Sequence, residues 1–479
     1  AGPVVLTYAT RCYSGREEPS LKHIRACRPY LAQVISEHAP SRILALGAEA
    51  TFSLVGRSLL LASTRRAYAW LAMQDCRIPV FFMSSPDIAS KNRMYQPLVD
   101  SDVKWALESP VPIPPPWDGK FCEIETADDA KNAVDAIRCE APWCAYDLEW
   151  AGNPFDKYFE VICAAVAPPD IDSAYVWPRT ALAKPDVREP LLQLLADGSM
   201  RKCGLNLKGD NLSAFAAWGV DVKGSDFDAR LVRRLLEVDI TASLEVSSEL
   251  VGMGGHKDEN DSALAQAEKR IVAARDQAKD VRQGRLFQEQ LDPALVAAVE
   301  RPWDDPKTFA YALVPVPILN RYCARDAVAH ARLAVELRPR LAARVSAQRM
   351  WDKLVSKSTD AIYRMEKWGI QADVEAIQSF IGFLDAQLKV VESRLERYGK
   401  VDYSSAPQVG KLLFETLHLK SSETTRTGRP ATDKDSLKKL VSSHPVVPDI
   451  LEWRKLAKLK SNFGESLIRC IRADGRIHA

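Results

Sequence analysis

Asp147 and Glu149 stand two residues apart in Trp143-Cys144-Ala145-Tyr146-Asp147-Leu148-Glu149-Trp150, an otherwise strand-like apolar run. Side chains alternate faces along a strand, so the two carboxylates share one face, where they repel each other and oppose burial. A divalent cation would relieve both problems. Downstream, Asn206-Leu207-Lys208-Gly209-Asp210 sits where a strand pattern passes into a helical one, which puts Asp210 on the first helical turn. Tyr322-Cys323-Ala324-Arg325-Asp326 lies on a helical pattern running through His330-Ala331, with Tyr322 and Asp326 on one face at i and i+4. Asp147, Glu149, Asp210 and Asp326 are hard oxygen donors with no accompanying His/Cys cluster, a set that selects Mg²⁺ or Mn²⁺ over zinc. Taken singly, each acidic residue is more often a surface charge or a helix cap. Together they point to a metal site.

These residues need elements to hold them. From Trp143 the pattern reads strand to Glu149, strand Phe159–Val166, strand Ala174–Trp177, helix from about Glu189 to Leu195, strand Arg201–Leu205, helix Lys208–Trp218 and helix from Asp228: a mixed sheet with the carboxylate pair on its first strand. Residues 1–108 alternate strand-like Val4–Tyr8, Arg42–Leu46 and Pro79–Met83 with helical Ser20–Glu37, Ala48–Val55 and Asn92–Leu107, which predicts an α/β layer with a parallel sheet. The proline-rich stretch within 109–120 reads as an extended linker, and 121–340 as the domain that carries the carboxylates. Within it, residues 252–290 hold a charged helical run, Ala263–Arg282, whose sparse apolar positions suggest a solvated insertion; DNA contact through Lys269, Arg270 and Arg275 is the less favoured alternative.

Residues 341–473 are helical. Met350, Leu354, Ala361, Met365 and Trp368 form one stripe, and Val374, Ile377, Ile381, Leu384, Leu388, Val391 and Leu395 a second. Two core-facing helices joined at Gly369-Ile370-Gln371 and packed antiparallel are expected. Ser421 to Ala431 reads as a polar loop, and a last helix from about Val447 to Ile471 carries Arg454, Lys455, Lys458 and Lys460.

The chain has 479 residues and 47% apolar content, enough for several cores. No apolar run approaches a membrane span and the first residues lack a signal-peptide layout, so a soluble cytoplasmic protein without a membrane partner is expected. Ten cysteines without a CxxC pair fit a reducing compartment. Residues 341–479 hold 24 Lys+Arg against 17 Asp+Glu, a net of +7, which leaves −5 for the rest of a chain of net charge +2. A basic end and an acidic middle suit a polyanion-binding module joined to a metal-carboxylate site, although uneven solvated faces would look the same.

Asp-x-Glu on a strand, Asn-x-Lys-x-Asp at a helix start and Tyr-x-x-x-Asp on a later helix, in that order, resemble the three motifs of DnaQ-like 3'-5' exonucleases, closest to the proofreading domain of family A DNA polymerases. The resemblance implies an RNase H-like domain that cleaves phosphodiesters with two Mg²⁺ or Mn²⁺ ions. Asp147, Glu149 and Asp326 would hold one ion and Asp147 with Asp210 the other; Tyr322 and Glu149 would orient the attacking water, and Asn206 and Lys208 would support the terminal phosphate. Gly209 departs from the family, which has an aromatic residue there, so looser packing behind Asp210 is expected. Residues 341–473 resemble the thumb of the same polymerases through Met365-Glu366-Lys367-Trp368-Gly369-Ile370, Ser405-Ala406-Pro407-Gln408, Arg426-Thr427-Gly428-Arg429-Pro430-Ala431-Thr432 and the His444-Pro445 to Leu456 segment, and 474–479 resemble the start of the palm. Arg426, Arg429, Arg454, Lys458 and Lys460 are then candidate phosphate contacts to primer–template duplex, with a single-stranded 3' end in the exonuclease site.

Residues 1–108 resemble a family-4 uracil-DNA glycosylase through Arg11-Cys12, Ala26-Cys27-Arg28-Pro29 and Pro40 to Ala50; Ser85 replaces that family's histidine, which implies a silent domain. Cys12 and Cys27 match two of the family's four iron–sulfur ligands, so a cluster is conceivable only in a longer chain. The whole reads as a fragment of a monomeric, phage-type family A polymerase from a bacterial or phage-infected cell: an N-terminal three-layer α/β domain, the exonuclease domain and a mostly-α thumb, without the palm and fingers. The rival readings are an RNase D-like exoribonuclease and a non-catalytic DNA-binding scaffold.

Overall fold

The computed structural model describes residues 4–10, 19–55, 68–72, 77–108, 117, 119–140, 142–170, 172–236, 244–253, 258–282, 293–421, 423–425, 428 and 430–478. Cys12, most of the proline-rich linker, Arg426 and Arg429 lie outside them. The chain divides into two compact units, residues 1–365 and 366–479.

The first unit opens with helix α1 (Leu21–His38), strand β1 (Ile43–Leu46), α2 (Ala48–Val55), β2 (Tyr68–Ala72), β3 (Arg77–Met83) and α3 (Gln96–Glu108). The three strands make a sheet in the order β1-β3-β2, parallel between β1 and β3 and antiparallel between β2 and β3. The two expected strands that form, β1 and β3, pair in parallel as expected; the antiparallel β2, which the pattern does not show, is a first correction. The second correction is Val4–Tyr8, which forms no strand and is exposed, with Val4 at 92%.

The larger sheet follows in the order β4-β7-β6-β5-β8-β9, from β4 (Cys122–Glu123), β5 (Trp143–Ala151), β6 (Glu160–Ala167), β7 (Tyr175–Trp177), β8 (Arg201–Gly204) and β9 (Ser225–Asp228). It is mixed, as the sequence pattern indicates: β5 runs antiparallel to β6 and parallel to β8. The sixth strand, β9, has no counterpart in the sequence pattern, which begins a helix at Asp228, because Phe227 is the one large apolar residue in Ser-Asp-Phe-Asp. Helices α4 (Ala127–Glu140) and α5 (Pro185–Ala196) cover one face, where Tyr146, Leu148, Val166 and Trp177 meet Val134, Ile137, Leu191 and Leu194. Thr126 and Asp129 begin α4 with a reciprocal cap: Thr126 Oγ1 accepts the Asp129 N–H and Asp129 Oδ2 accepts the Thr126 N–H.

Helix α6 (Leu207–Trp218) and helix α7 (Ala229–Leu236) lead to α8 (Asp258–Arg282) and then to α9 (Val316–Ala343), which packs across the other face of the sheet. The buried side of α9 is rich in small residues, Ala324, Ala327, Ala331 and Ala334 among them, so the helix lies close to β5 and β6 and its short carboxylate side chain reaches the strand. The solvated insertion expected at residues 263–282 is only half right. Leu264, Ala267, Ile271 and Ala274 of α8 are buried in the same core, while Lys269 and Arg270 are exposed. Arg275 is not available for DNA: it donates to the Ala298 and Arg301 carbonyls.

Helix α10 (Ser356–Trp368) leads into the second unit, which contains β10 (Ile370–Gln371), α11 (Val374–Leu395), α12 (Val446–Lys460) and β11 (Arg476–Ile477), with β10 and β11 paired antiparallel. Asp373 caps α11 by accepting the Ala376 N–H at 2.9 Å. The lower half of the α11 stripe is core, with Leu384, Leu388, Val391 and Leu395 buried, and its packing partner is α12. The upper half is only partly so, with Val374 exposed and Ile377 and Ile381 half-buried, and Met350, Leu354, Met365 and Trp368 of the first stripe are exposed. The last helix continues past α12 through a π-helical turn at Ser461–Glu465, where Gly464 lies against Ile381; a Cβ there would come within 2.6 Å of Ile381 Cγ1. No disulfide joins the described cysteines, and no helix among the described residues is long and apolar enough to cross a membrane.

Candidate active site

Strand β5 is the platform. Its parallel pairing with β8 covers only Trp143–Ala145, because β8 ends at Gly204. Beyond that point the edge of β5 is closed by side chains. Asp210 Oδ1 accepts the Leu148 N–H at 3.3 Å, and His330 Nδ1 lies 3.2 Å from the Tyr146 carbonyl oxygen. A register shift between Glu149 and Trp150 bends the strand just after the second carboxylate.

Asp147 and Glu149, both buried on the face that α9 covers, meet Asp326 there. One carboxylate oxygen from each lies within 4.8 Å of the others. Burial, followed by repulsion from Glu149, Asp326 and Asp210, pushes the Asp147 carboxyl well above the usual range. Its Oδ2 is buried without a hydrogen-bond partner among the described residues. Buried carboxylates are normally paired or hydrogen-bonded, so this orphaned oxygen and its two acidic neighbours fit a hard cation. The donors are all oxygen, as Mg²⁺ or Mn²⁺ requires.

Asp210 stands beside this group of three, on the first turn of α6, with its carboxyl also raised by burial. Asn206 takes the left-handed conformation at φ 69°, which turns β8 into α6. Lys208 is half-buried on the same turn, and Asn206 is exposed with Arg230 Nη1 3.5 Å from its Oδ1. Tyr322 is buried next to the carboxylates, and burial together with the Asp326 and Glu149 charges drives its phenol well above the ordinary value. The five acidic and phenolic residues singled out in the sequence thus converge.

Four further residues belong to the setting. Asp228 is buried at the end of β9; its Oδ2 accepts the Leu207 N–H at 3.0 Å and its Oδ1 the Arg230 N–H at 2.9 Å, so one carboxylate caps α7 and pins the start of α6. An Asp just before an apolar helical run is a recognisable capping signal. Tyr311, in the short 3₁₀ turn Tyr311–Leu313, has its phenol pushed up by burial and by Glu149, Asp326 and Asp147, and nothing in its sequence context announces it. His330 follows Asp326 by one helical turn. The fourth is Trp150. A Cβ at Gly209 would meet Asn206 Nδ2 at 3.1 Å and Trp150 Cη2 at 3.7 Å, so an aromatic ring from β5 lies beside the glycine that departs from the family pattern.

In the second unit, Arg454 donates from Nε to the Tyr403 carbonyl at 2.8 Å and from Nη1 to the Thr432 carbonyl, and so holds two loops to α12. Lys460 is paired with Asp385 at 2.6 Å and Glu465 at 3.4 Å. Lys458 is exposed and lines a cavity of about 1080 Å³ together with Lys411, Phe414, Trp453 and Arg454.

The sequence profile of DNA polymerase family A matches residues 374–479. Among curated proteins, the chain is similar to DNA polymerase I of Deinococcus radiodurans, 30% identical over 197 residues that make up 38% of this chain and 20% of that protein. It is similar to the DNA polymerase of Escherichia phage T5, 27% identical over 181 residues, 35% of this chain and 21% of that one. The chain therefore spans about a fifth of the length of these relatives. Among solved structures it resembles in fold the POL domain of Pol1 from M. smegmatis, determined with DNA primer-template and dNTP, at a TM-score of 0.50 and 16% identity over 75% of this chain and 52% of that one.

Proposed function

We propose that the buried carboxylates form the 3'-5' exonuclease centre of a family A DNA polymerase, a group to which the chain is similar, hydrolysing single-stranded DNA from the 3' end. The observation that carries this reading is the meeting of Asp147, Glu149 and Asp326 donor oxygens within 4.8 Å in a buried site. Asp147, Glu149 and Asp326 would hold one divalent ion, and Asp147 with Asp210 a second. When bound, such ions supply a water of lowered pKa and charge stabilisation at the leaving 3' oxygen.

The protein's own groups do the positioning. Tyr322, whose raised pKa keeps its phenol protonated, presents an O–H donor beside Glu149 and Asp326, and with Glu149 it would orient the attacking water. The N-terminal turn of α6 brings the Lys208 ammonium and the positive end of the helix dipole to the terminal phosphate. In the second unit, Lys458, Lys411 and the aromatic rings of the neighbouring cavity are suited to a DNA backbone. The same reading gives 1–108, 121–340 and 341–473 as successive domains of an intracellular polymerase. The matches to DNA polymerases favour DNA over RNA as the substrate.

The test is release of 5' mononucleotides from 3'-labelled single-stranded DNA in Mg²⁺. Wild type should degrade it, and Asp147→Ala combined with Glu149→Ala should abolish the reaction. Cleavage that survives the double substitution removes the assignment. A wild type that binds Mg²⁺ and DNA without cleaving makes the protein a scaffold.

A further inference from the structure

His330 is almost fully buried, at 1% exposure, on the face of α9 that already carries Tyr322 and Asp326 at intervals of four residues. Its Nδ1 lies 3.2 Å from the Tyr146 carbonyl oxygen and 3.9 Å from Asp147 Oδ1. A carbonyl oxygen can only accept, so Nδ1 carries the proton in this contact. Tyr146 is the first residue of β5 beyond the pairing with β8, which stops at Ala145. Past that point a strand carrying two mutually repelling carboxylates is held by β6 on one edge and by side chains on the other.

We propose that His330 is a positioning residue of the exonuclease centre: by donating from Nδ1 to the Tyr146 carbonyl it fixes the unpaired edge of β5, and with it the Asp147 carboxylate, in the arrangement that receives the cation. The proposal rests on the exonuclease reading of the same site. It assigns His330 neither proton transfer nor metal ligation. The ring acts through the strand, as hydrogen-bond partners behind metal ligands do, and their loss commonly weakens metal affinity by about 10–100-fold.

The experiment compares His330→Asn, His330→Gln and His330→Leu in the full chain. Asparagine can place an amide N–H where Nδ1 now lies, glutamine reaches instead toward the position of Nε2, and leucine donates nothing. Three quantities are measured: Mn²⁺ affinity by the electron spin resonance signal of the free ion, kcat and KM on single-stranded DNA, and thermal unfolding. Asn should keep Mn²⁺ affinity within about threefold of wild type, whereas Gln and Leu should lose about tenfold or more and lower kcat with KM little changed. Equal Mn²⁺ affinities across the variants overturn the proposal. So does lowered thermal stability with unchanged Mn²⁺ affinity, which would make His330 an ordinary core residue. A wild type that binds Mn²⁺ but cleaves no DNA refutes the exonuclease reading instead, and the order of Mn²⁺ affinities then decides the role of His330 by itself.

Discussion

Replacing Asp147 by Asn should make the metal-free protein more stable and at the same time abolish its response to Mg²⁺. The donor oxygens of Asp147, Glu149 and Asp326 lie within 4.8 Å of one another. Two unit charges at that separation repel by about 3.5 kcal/mol at an effective dielectric of ~20. The folded protein moderates the repulsion by binding protons, so a net gain of about 1–3 kcal/mol is expected for Asp147→Asn in chelator at neutral pH. That corresponds to about 2–4 °C in melting temperature per kcal/mol for a domain of 150–250 residues. The sign with pH follows from the raised pKa of Asp147. A carboxyl whose folded pKa lies above its unfolded one stabilises the fold fully below the unfolded value and loses that contribution as pH rises through the folded one. The advantage of Asp147→Asn should therefore be absent in acid, grow as pH rises above the ordinary Asp range and level off once the wild-type site is ionised. The assay is thermal unfolding across pH, in chelator and in Mg²⁺. Identical melting of the two proteins in chelator, or an equal rise of both on adding Mg²⁺, would refute the electrostatic account of the cluster.

Two further outcomes are expected. Arg454→Ala removes two hydrogen bonds from a half-buried guanidinium to the Tyr403 and Thr432 carbonyls. It should destabilise the second unit by about 2–3 kcal/mol, read by urea unfolding followed at Trp453, with or without DNA present. Trp150→Ala empties the space beside Gly209; for a partly buried ring it should cost about 1–3 kcal/mol and weaken Mn²⁺ binding, and Trp150→Ala with Gly209→Phe should recover part of both.

The site was more legible than the packing around it. Asp147 and Glu149 could be placed because strand alternation fixes which side chains share a face, and Asp210, Tyr322 and Asp326 because a helix start and an i, i+4 spacing do the same. What the sequence does not state is what covers a face. Met350, Leu354, Met365 and Trp368 repeat with helical period, yet they are exposed, since periodicity marks an amphipathic surface without naming its partner. The reverse holds in α8, where Ala267 and Ala274 fill half of a buried stripe and alanine is too small to mark a core position by itself. Short strands failed for want of pattern: Ser225–Asp228 offers one large apolar side chain, and its sheet position is set by β8 beside it. The i, i+4 spacing puts His330 on the face of Asp326, but its contact with Tyr146 and the place of Tyr311 beside the carboxylates join segments far apart in the chain, which no local pattern shows.

Helix α9 has a consequence for how this protein can change. Tyr322, Asp326 and His330 are carried on one uninterrupted 28-residue rod, spaced four apart. A helix turns ~100° per residue, so inserting or deleting one codon between Pro317 and Tyr322 would swing all three side chains off β5 together, unless the shift were absorbed before the rod begins. Point substitutions can erode the centre one group at a time, whereas a single change of length there would switch it off whole. The spacing of these residues along α9 is therefore a property of the centre as much as their identity is.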